Sequence, residues 1–161
     1  MYEKILVPLD GSALAERAIR HAREIARGPG SEILLLQAVN LPMPVVPEAV
    51  LVPDAKWLDE AKKEAAWYLE WIAAPLREAG MRVRTLLDER APADAILHVA
   101  AREEVDLIVM STHGRGGFSR LLMGSVAESV FRATPRTVML VKPERPAAVT
   151  HADEELYLHI P

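Results

Sequence analysis

Apolar positions follow two spacings along the chain, and the switch between them predicts five strands alternating with four helices. Residues 4 to 10, KILVPLD, form a short apolar run closed by Asp10-Gly11-Ser12, the pattern of a buried strand ending in a turn. A helix follows at once. Ala15, Ala18, Ile19, Ala22, Ile25 and Ala26 recur at three- and four-residue spacings until Gly28-Pro29-Gly30 stops them. EILLLQAV (32 to 39) is a second buried strand. NLPMPVVPEAVLVP (40 to 53) carries four prolines and reads as a long apolar loop. From Asp54 the helical stripe Leu58, Ala61, Ala65, Leu69, Ile72, Leu76, Ala79 takes over and ends at Gly80, with Pro75 inside it. Trp57, Trp67 and Trp71 fall beside that stripe, and packing beneath the proline-rich loop is the expectation for them. MRVRTLL (81 to 87) alternates like a strand near a sheet edge. A third helix starts at Pro92 and runs through Ile96, Val99 and Ala100. VDLIVMS (105 to 111) is a strand, 121 to 133 a helix, and TVMLV (137 to 141) the last strand.

Strands and helices in strict alternation demand a parallel sheet covered on both faces. The fold class is therefore α/β, a single doubly wound sheet of five parallel strands in the order 3-2-1-4-5, counted along the chain. In that class ligands bind beyond the carboxyl ends of the strands, where the strand order reverses. One domain, residues 1 to 143, accounts for the alternation, and residues 144 to 161 follow as an appendage whose only apolar stretch is LYLHI. At 161 residues there is room for one well-formed core.

Charge and composition narrow the function. The net charge of −4 and scattered basic residues give no footprint for nucleic acid, and no segment has the apolar length to cross a bilayer. The absence of cysteine excludes disulfides and thiolate metal sites. These features fit a cytoplasmic protein with neither a nucleic-acid nor a membrane partner. His21, His98, His151 and His159 stand too far apart in sequence to suggest a metal site, so no metal ligands are assigned.

The candidate chemistry lies in STHGRGGFSRLLMGS, residues 111 to 125, which holds four of the eight glycines. Glycine lets peptide N–H groups approach an anion without hindrance from a Cβ, and the helix beginning after Gly124 adds unpaired N–H groups and partial positive charge. The outline is a phosphate cradle. Ser125 would add a hydroxyl, and Arg115 or Arg120 mobile charge. No Gly-Lys-Ser/Thr occurs, no Gly-x-Gly-x-x-Gly comes after the first strand, and no Gly-x-Ser-x-Gly elbow is present. The first strand runs out instead through Pro8-Leu9-Asp10-Gly11-Ser12. Strands one and four flank the switch point, so the two loops should face one crevice.

KILVPLDGS, PADAI and STHGRGGFSRLLMGSVAESV together resemble the universal stress protein family, from Tyr2 to Lys142. In its ATP-binding members the last segment reads Gly, two residues, Gly, nine residues, Gly, then Ser or Thr. Gly114, Gly124 and Ser125 match, and Ser111 stands at the first glycine. The resemblance implies that Pro8, Leu9 and Asp10 border the adenosine and that Ala38 meets the adenine through its backbone. It further implies that Gly114, Gly124, Ser125 and Val126 hold the phosphates of ATP or AMP, with Ser111 near the ribose. His113 and Arg115 join the set as loop residues in contact with ligand. Asp10 would be turn-former and ligand contact, and could help hold Mg²⁺ beside a triphosphate. No catalytic residue is assigned: His113 has no identifiable carboxylate to orient it, and Glu128 reads as a solvated helix charge.

Three readings remain open at this point. The first is a regulatory protein whose bound nucleotide alters its contacts during stress; the second is a slow ATPase or phosphotransferase; the third is a nucleotide-free dimeric interaction module. A homodimer is expected through residues 137 to 141, because the last strand lies at a sheet edge with no charge before Lys142.

Overall fold

The computed structural model describes residues 2–26, 30–40, 45–46, 49–50, 55–112 and 123–142. In chain order the elements are β1 (Lys4–Leu9), α1 (Ala13–Ile25), β2 (Glu32–Ala38), β3 (Val45–Val46), β4 (Ala49–Val50), α2 (Ala55–Glu78), β5 (Arg82–Asp88), α3 (Pro92–Arg102), β6 (Leu107–Ser111), α4 (Ser125–Ala133) and β7 (Thr137–Val141). The five long strands form one sheet in the order β5-β2-β1-β6-β7, all parallel. This is the expected 3-2-1-4-5 arrangement. The chain leaves β1 toward β2 on one side and reaches β6 on the other, so the order reverses at the β1–β6 boundary.

Each face of the sheet has its own apolar layer. Ile5, Val7, Leu9, Ile33, Leu35, Leu107 and Val109 pack beneath α1 and α2 through Ala15, Ala18, Ala22, Leu69, Ile72, Ala73 and Leu76. Leu6, Leu34, Leu36, Ile108 and Met110 pack on the other face beneath α3 and α4 through Ile96, Val99, Ala100, Ala127 and Val130. Central strands whose middle positions are all apolar, such as Ile33 to Leu36 of β2, are what burial on both faces requires. The edge strands keep alternation, as Arg82 and Arg84 on β5 and the exposed Thr137 and Met139 on β7 demonstrate.

The helix ends follow local rules. α2 closes in a Schellman motif: Gly80 N–H donates to Arg77 C=O at 2.9 Å and Met81 N–H to Leu76 C=O at 3.1 Å, with Gly80 at φ +82°. α3 closes the same way, through Glu104 N–H to Ala101 C=O at 3.3 Å and Val105 N–H to Ala100 C=O at 3.0 Å. There the left-handed position is held by Glu104, at φ +55°. At the amino ends of the strands, Asp106 Oδ2 accepts the N–H groups of Glu3 at 3.0 Å and Lys4 at 2.9 Å. These bonds, that from Lys4 foremost, hold the Asp106 carboxyl below its ordinary pKa.

Two expectations need correction. Val45–Val46 pairs antiparallel with Ala49–Val50, so the proline-rich segment carries a small two-stranded sheet where a plain loop was expected. Val45 pairs with Val50 and Val46 with Ala49, and the prolines of the segment lie outside these paired positions. The tryptophans do not pack: Trp57, Trp67 and Trp71 are 55%, 70% and 59% exposed. With Leu69, Ile72 and Leu76 turned to the sheet, the 3.6-residue period carries Trp67 and Trp71, four apart, onto the outer face of α2.

Candidate functional site

Adjacent parallel strands β1 and β6 deliver the two candidate loops to the same end of the sheet. After β1, Asp10 Oδ1 accepts the Ser12 N–H at 2.9 Å, a side-chain turn that requires Gly11 between them at φ +78°. Ser12 is the N-cap of α1: its Oγ accepts the Ala15 N–H at 3.2 Å, and its C=O accepts from Glu16 N–H at 3.2 Å. Pro8 and Asp10 are half-buried and Leu9 is buried.

After β6, Ser111 pairs in register with Val141 and is half-buried, and Thr112 is buried with its N–H donating to Val141 C=O at 3.0 Å. Gly124 N–H donates to Thr112 C=O at 2.6 Å, which fastens the two ends of the glycine-rich segment to each other. His113, Gly114, Arg115 and Arg120 lie outside the described residues. Gly124 is the N-cap of α4, with extended backbone and no side-chain hydrogen bond, and its C=O accepts from Glu128 N–H at 2.9 Å. Ser125 and Val126 therefore open α4 with N–H groups that no capping side chain takes up. Glu128 pairs with Arg132 one turn on, its Oε1 2.9 Å from Nη2. The structure thus brings together Pro8, Leu9, Asp10, Ser111, Gly124, Ser125 and Val126 at one end of two neighbouring strands. Ala38 ends β2, next to β1, at that same end.

Sequence reasoning missed two features here. One is Gln37, which pairs in register with Leu9; among the described residues, nothing hydrogen-bonds its buried Oε1. The other is a polar triangle beside Ala38. Asp88, at the end of β5 and in register with Ala38, is buried; its Oδ1 accepts the Arg90 N–H at 3.0 Å, and its Oδ2 lies 2.7 Å from Arg90 Nη1 and 3.1 Å from His98 Nδ1. Arg90 Nη1 and His98 Nδ1 are themselves 3.0 Å apart. Burial pushes the Asp88 carboxyl up, but the hydrogen bonds from the Arg90 N–H and guanidinium and from His98 outweigh it and hold Asp88 below its ordinary pKa. Among the described residues no group of three or more His, Asp or Glu is placed to hold a metal ion, and no helix is long and apolar enough to cross a membrane.

Comparison with known proteins agrees with this architecture. Residues 1–142 match the model of the universal stress protein family. A universal stress protein of Methanocaldococcus jannaschii, MJ0531, is 33% identical over 145 residues, covering 88% of this chain and 83% of that protein. The solved structure of MJ0577, whose namesake relative comes from the same organism, superposes with a TM-score of 0.76 at 29% identity, covering 91% of this chain and 99% of that one. A universal stress protein solved in complex with cAMP superposes with a TM-score of 0.61 at 26% identity, covering 87% and 97% of the two chains.

Proposed function

The chain belongs to the universal stress protein family, and from that premise we propose that it is a stress-response regulatory protein that binds ATP or AMP between the loop after β1 and the segment from Ser111 to Val126. Occupancy is the signal and turnover is not required. The observation that carries this reading is the start of α4, where Gly124 leaves the first N–H groups without a capping side chain, next to the Asp10 turn. N–H groups at a helix start that no side chain caps among the described residues, with no Cβ at the cap, suit a phosphate. The cAMP complex of a family protein supports an adenine nucleotide as the occupant. In this reading Pro8, Leu9 and Asp10 border the adenosine, and Ala38 meets the adenine through its backbone. Ser111 would bond the ribose and Gly114, Gly124, Ser125 and Val126 would hold the phosphates, with His113 and Arg115 as loop residues in contact with ligand. Asp10 would help hold Mg²⁺ if the ion accompanies a triphosphate, and the cytoplasm is the compartment where such nucleotides are met.

Calorimetry with ATP and AMP, with and without Mg²⁺, run beside a phosphate-release assay, tests the reading. Stoichiometric binding without phosphate release is the expected result. Sustained release would move the assignment to a slow ATPase, and no binding of either nucleotide would move it to an interaction module. Ser111, at the position of the first motif glycine, favours that last reading.

We infer also that two copies pair through β7. This strand is a sheet edge, and Met139 on it is 37% exposed. An antiparallel pairing about a two-fold axis would cover it and extend the sheet across both subunits. Light scattering on the full chain and on a version ending at Pro143 tests this. A monomer in both refutes the dimer, and a dimer lost only on truncation moves the interface to the appendage.

A further inference from the structure

The outer face of α2 carries a row of side chains that the sheet does not use. Steps of three and four residues in turn link Trp57, Glu60, Glu64, Trp67, Trp71 and Glu78 into one stripe, with Ala74 at the remaining step. All seven are exposed, the three tryptophans by 55%, 70% and 59%. The stripe runs about 32 Å along the helix, or about six turns. Three indoles that keep most of their large apolar surface in water mark a place of contact.

The charges of α2 fall into two sets. Those beside β5 are tied down: Glu70 accepts from Arg77 Nη1 at 2.5 Å and from Thr85 Oγ1 at 2.6 Å, and Lys62 Nζ lies 2.5 Å from Glu89 Oε1. In the outer row, Glu60, Glu64 and Glu78 make no hydrogen bond or ion pair among the described residues. Lys56 and Lys63 stand on one flank, each one position before a member of the row, and the row itself holds no cation. An indole face attracts a cation, and a carboxylate one turn away accepts the hydrogen bonds of that cation. Trp57 with Glu60, and Glu64 with Trp67, repeat this pairing along the stripe. Arginine suits both halves of it, because a planar guanidinium stacks on indole and donates to carboxylate at once. Anionic lipid headgroups would meet three carboxylates in the row. A second copy of the chain would bring the same carboxylates and no cation to oppose them.

We propose that this stripe is a docking surface for a basic helical segment of another protein, whose arginines, three and four residues apart, stack on the tryptophans and pair with Glu60, Glu64 and Glu78. The stripe belongs to the helix layer of α1 and α2, and the start of α4 belongs to the opposite layer, so a partner on α2 leaves the nucleotide crevice uncovered.

Calorimetric titration of the full chain with a synthetic alanine-based helical peptide of about 22 residues, carrying arginine at that spacing, tests the inference. Saturable binding of the arginine peptide, and none of its glutamate counterpart, is the expected result. Trp67→Ala/Trp71→Ala and Glu60→Gln/Glu64→Gln should each weaken binding roughly tenfold, and Trp67→Phe/Trp71→Phe by less than about threefold. The replaced side chains are exposed, so the thermal midpoints should match that of the parent. No binding of the arginine peptide, or equal binding of its glutamate counterpart, overturns the proposal. Equal affinity in parent and variants places the peptide elsewhere and overturns it too. Two rival occupants have their own readouts. Sedimentation with vesicles of phosphatidylcholine and phosphatidylserine is expected to leave the protein in solution, and vesicle binding lost in Trp67→Ala/Trp71→Ala would make the face a lipid contact. Light scattering is expected to give the same assembly for the parent and for Trp67→Ala/Trp71→Ala, and a smaller assembly in the variant would make the face a contact between copies. Either of these results overturns the basic partner.

Discussion

Helices α1 and α4 both begin at the carboxyl ends of neighbouring central strands, yet their first turns are finished in opposite ways. At α1 the chain supplies its own acceptor: Ser12 Oγ takes the Ala15 N–H, and Asp10 steadies Ser12. At α4 the cap is Gly124, and among the described residues no side chain takes the N–H groups beyond it. Two starts of the same architecture therefore differ in who completes them. One is closed by a capping side chain, and the other has none at its cap. Under the proposed reading a phosphate takes that place, and the absent side chain is the functional feature.

The sharpest way to break this contrast is to give α4 the cap it lacks. Gly124→Asp should satisfy the open N–H groups from within and place a carboxylate where phosphate would sit. ATP affinity by calorimetry is expected to fall by about a hundredfold or more, or about 3 kcal/mol, while the thermal midpoint holds or rises slightly. A loss of affinity accompanied by unfolding would mean that the site was damaged and not filled.

The reverse substitution sharpens the same point. Ser12→Ala removes the cap of α1 and should cost about 1 kcal/mol, seen as a thermal midpoint lower by about 2–4 °C. ATP affinity should stay within about twofold of the parent, because Ser12 serves the helix. A large affinity loss would transfer Ser12 to the binding set.

α3 supplies a third case, with Ala91 at its cap, Pro92 in its first turn and no side-chain cap, and with the buried Asp88 just before it. Because the folded-state pKa of Asp88 is held below its ordinary value, its contribution to stability is fully present above the carboxylate range. It is lost as the pH falls through the folded value. Asp88→Asn should therefore be less stable than the parent at neutral pH, by urea denaturation, and the gap should narrow below about pH 4. A gap independent of pH would assign the effect to packing.

The smallest effect concerns helix exits. Gly80 and Glu104 hold equivalent left-handed positions after α2 and α3. Only glycine does so without strain, and Glu104→Gly is expected to raise stability by about 0.5–1 kcal/mol in the same denaturation assay.

The sheet was legible because its signals are local. An unbroken apolar run such as Leu34-Leu35-Leu36 means burial on both faces, and the Asp10-Gly11-Ser12 turn states where β1 stops and α1 starts. The start of α4 was legible for the same reason, since glycine before a helical period is a local sign. The Asp88–Arg90–His98 triangle was not. Its atoms meet because the end of β5 and the second turn of α3 are brought together by the crossover, and nothing in the spacing from 88 to 98 singles out those three among the other charges of DERAPADAILH. Gln37 was hidden differently: a glutamine at the end of a buried run looks like the return to solvent, and only the neighbouring strand and helices bury its oxygen. The tryptophans misled because residue type was given more weight than helical angle. Leu69, Ile72 and Leu76 had already claimed the inner face.

The exposed tryptophans have a practical corollary. The chain has three, all on α2 and all turned outward, so its tryptophan fluorescence comes entirely from one surface on the side of the sheet away from α4. Emission should be that of water-exposed indole, open to quenching by acrylamide. It should also stay nearly silent when a ligand enters beside Gly124, because no indole stands there. The same optical signal becomes an unprompted detector for anything that lands on α2, where a blue shift would register contact before the partner had been identified.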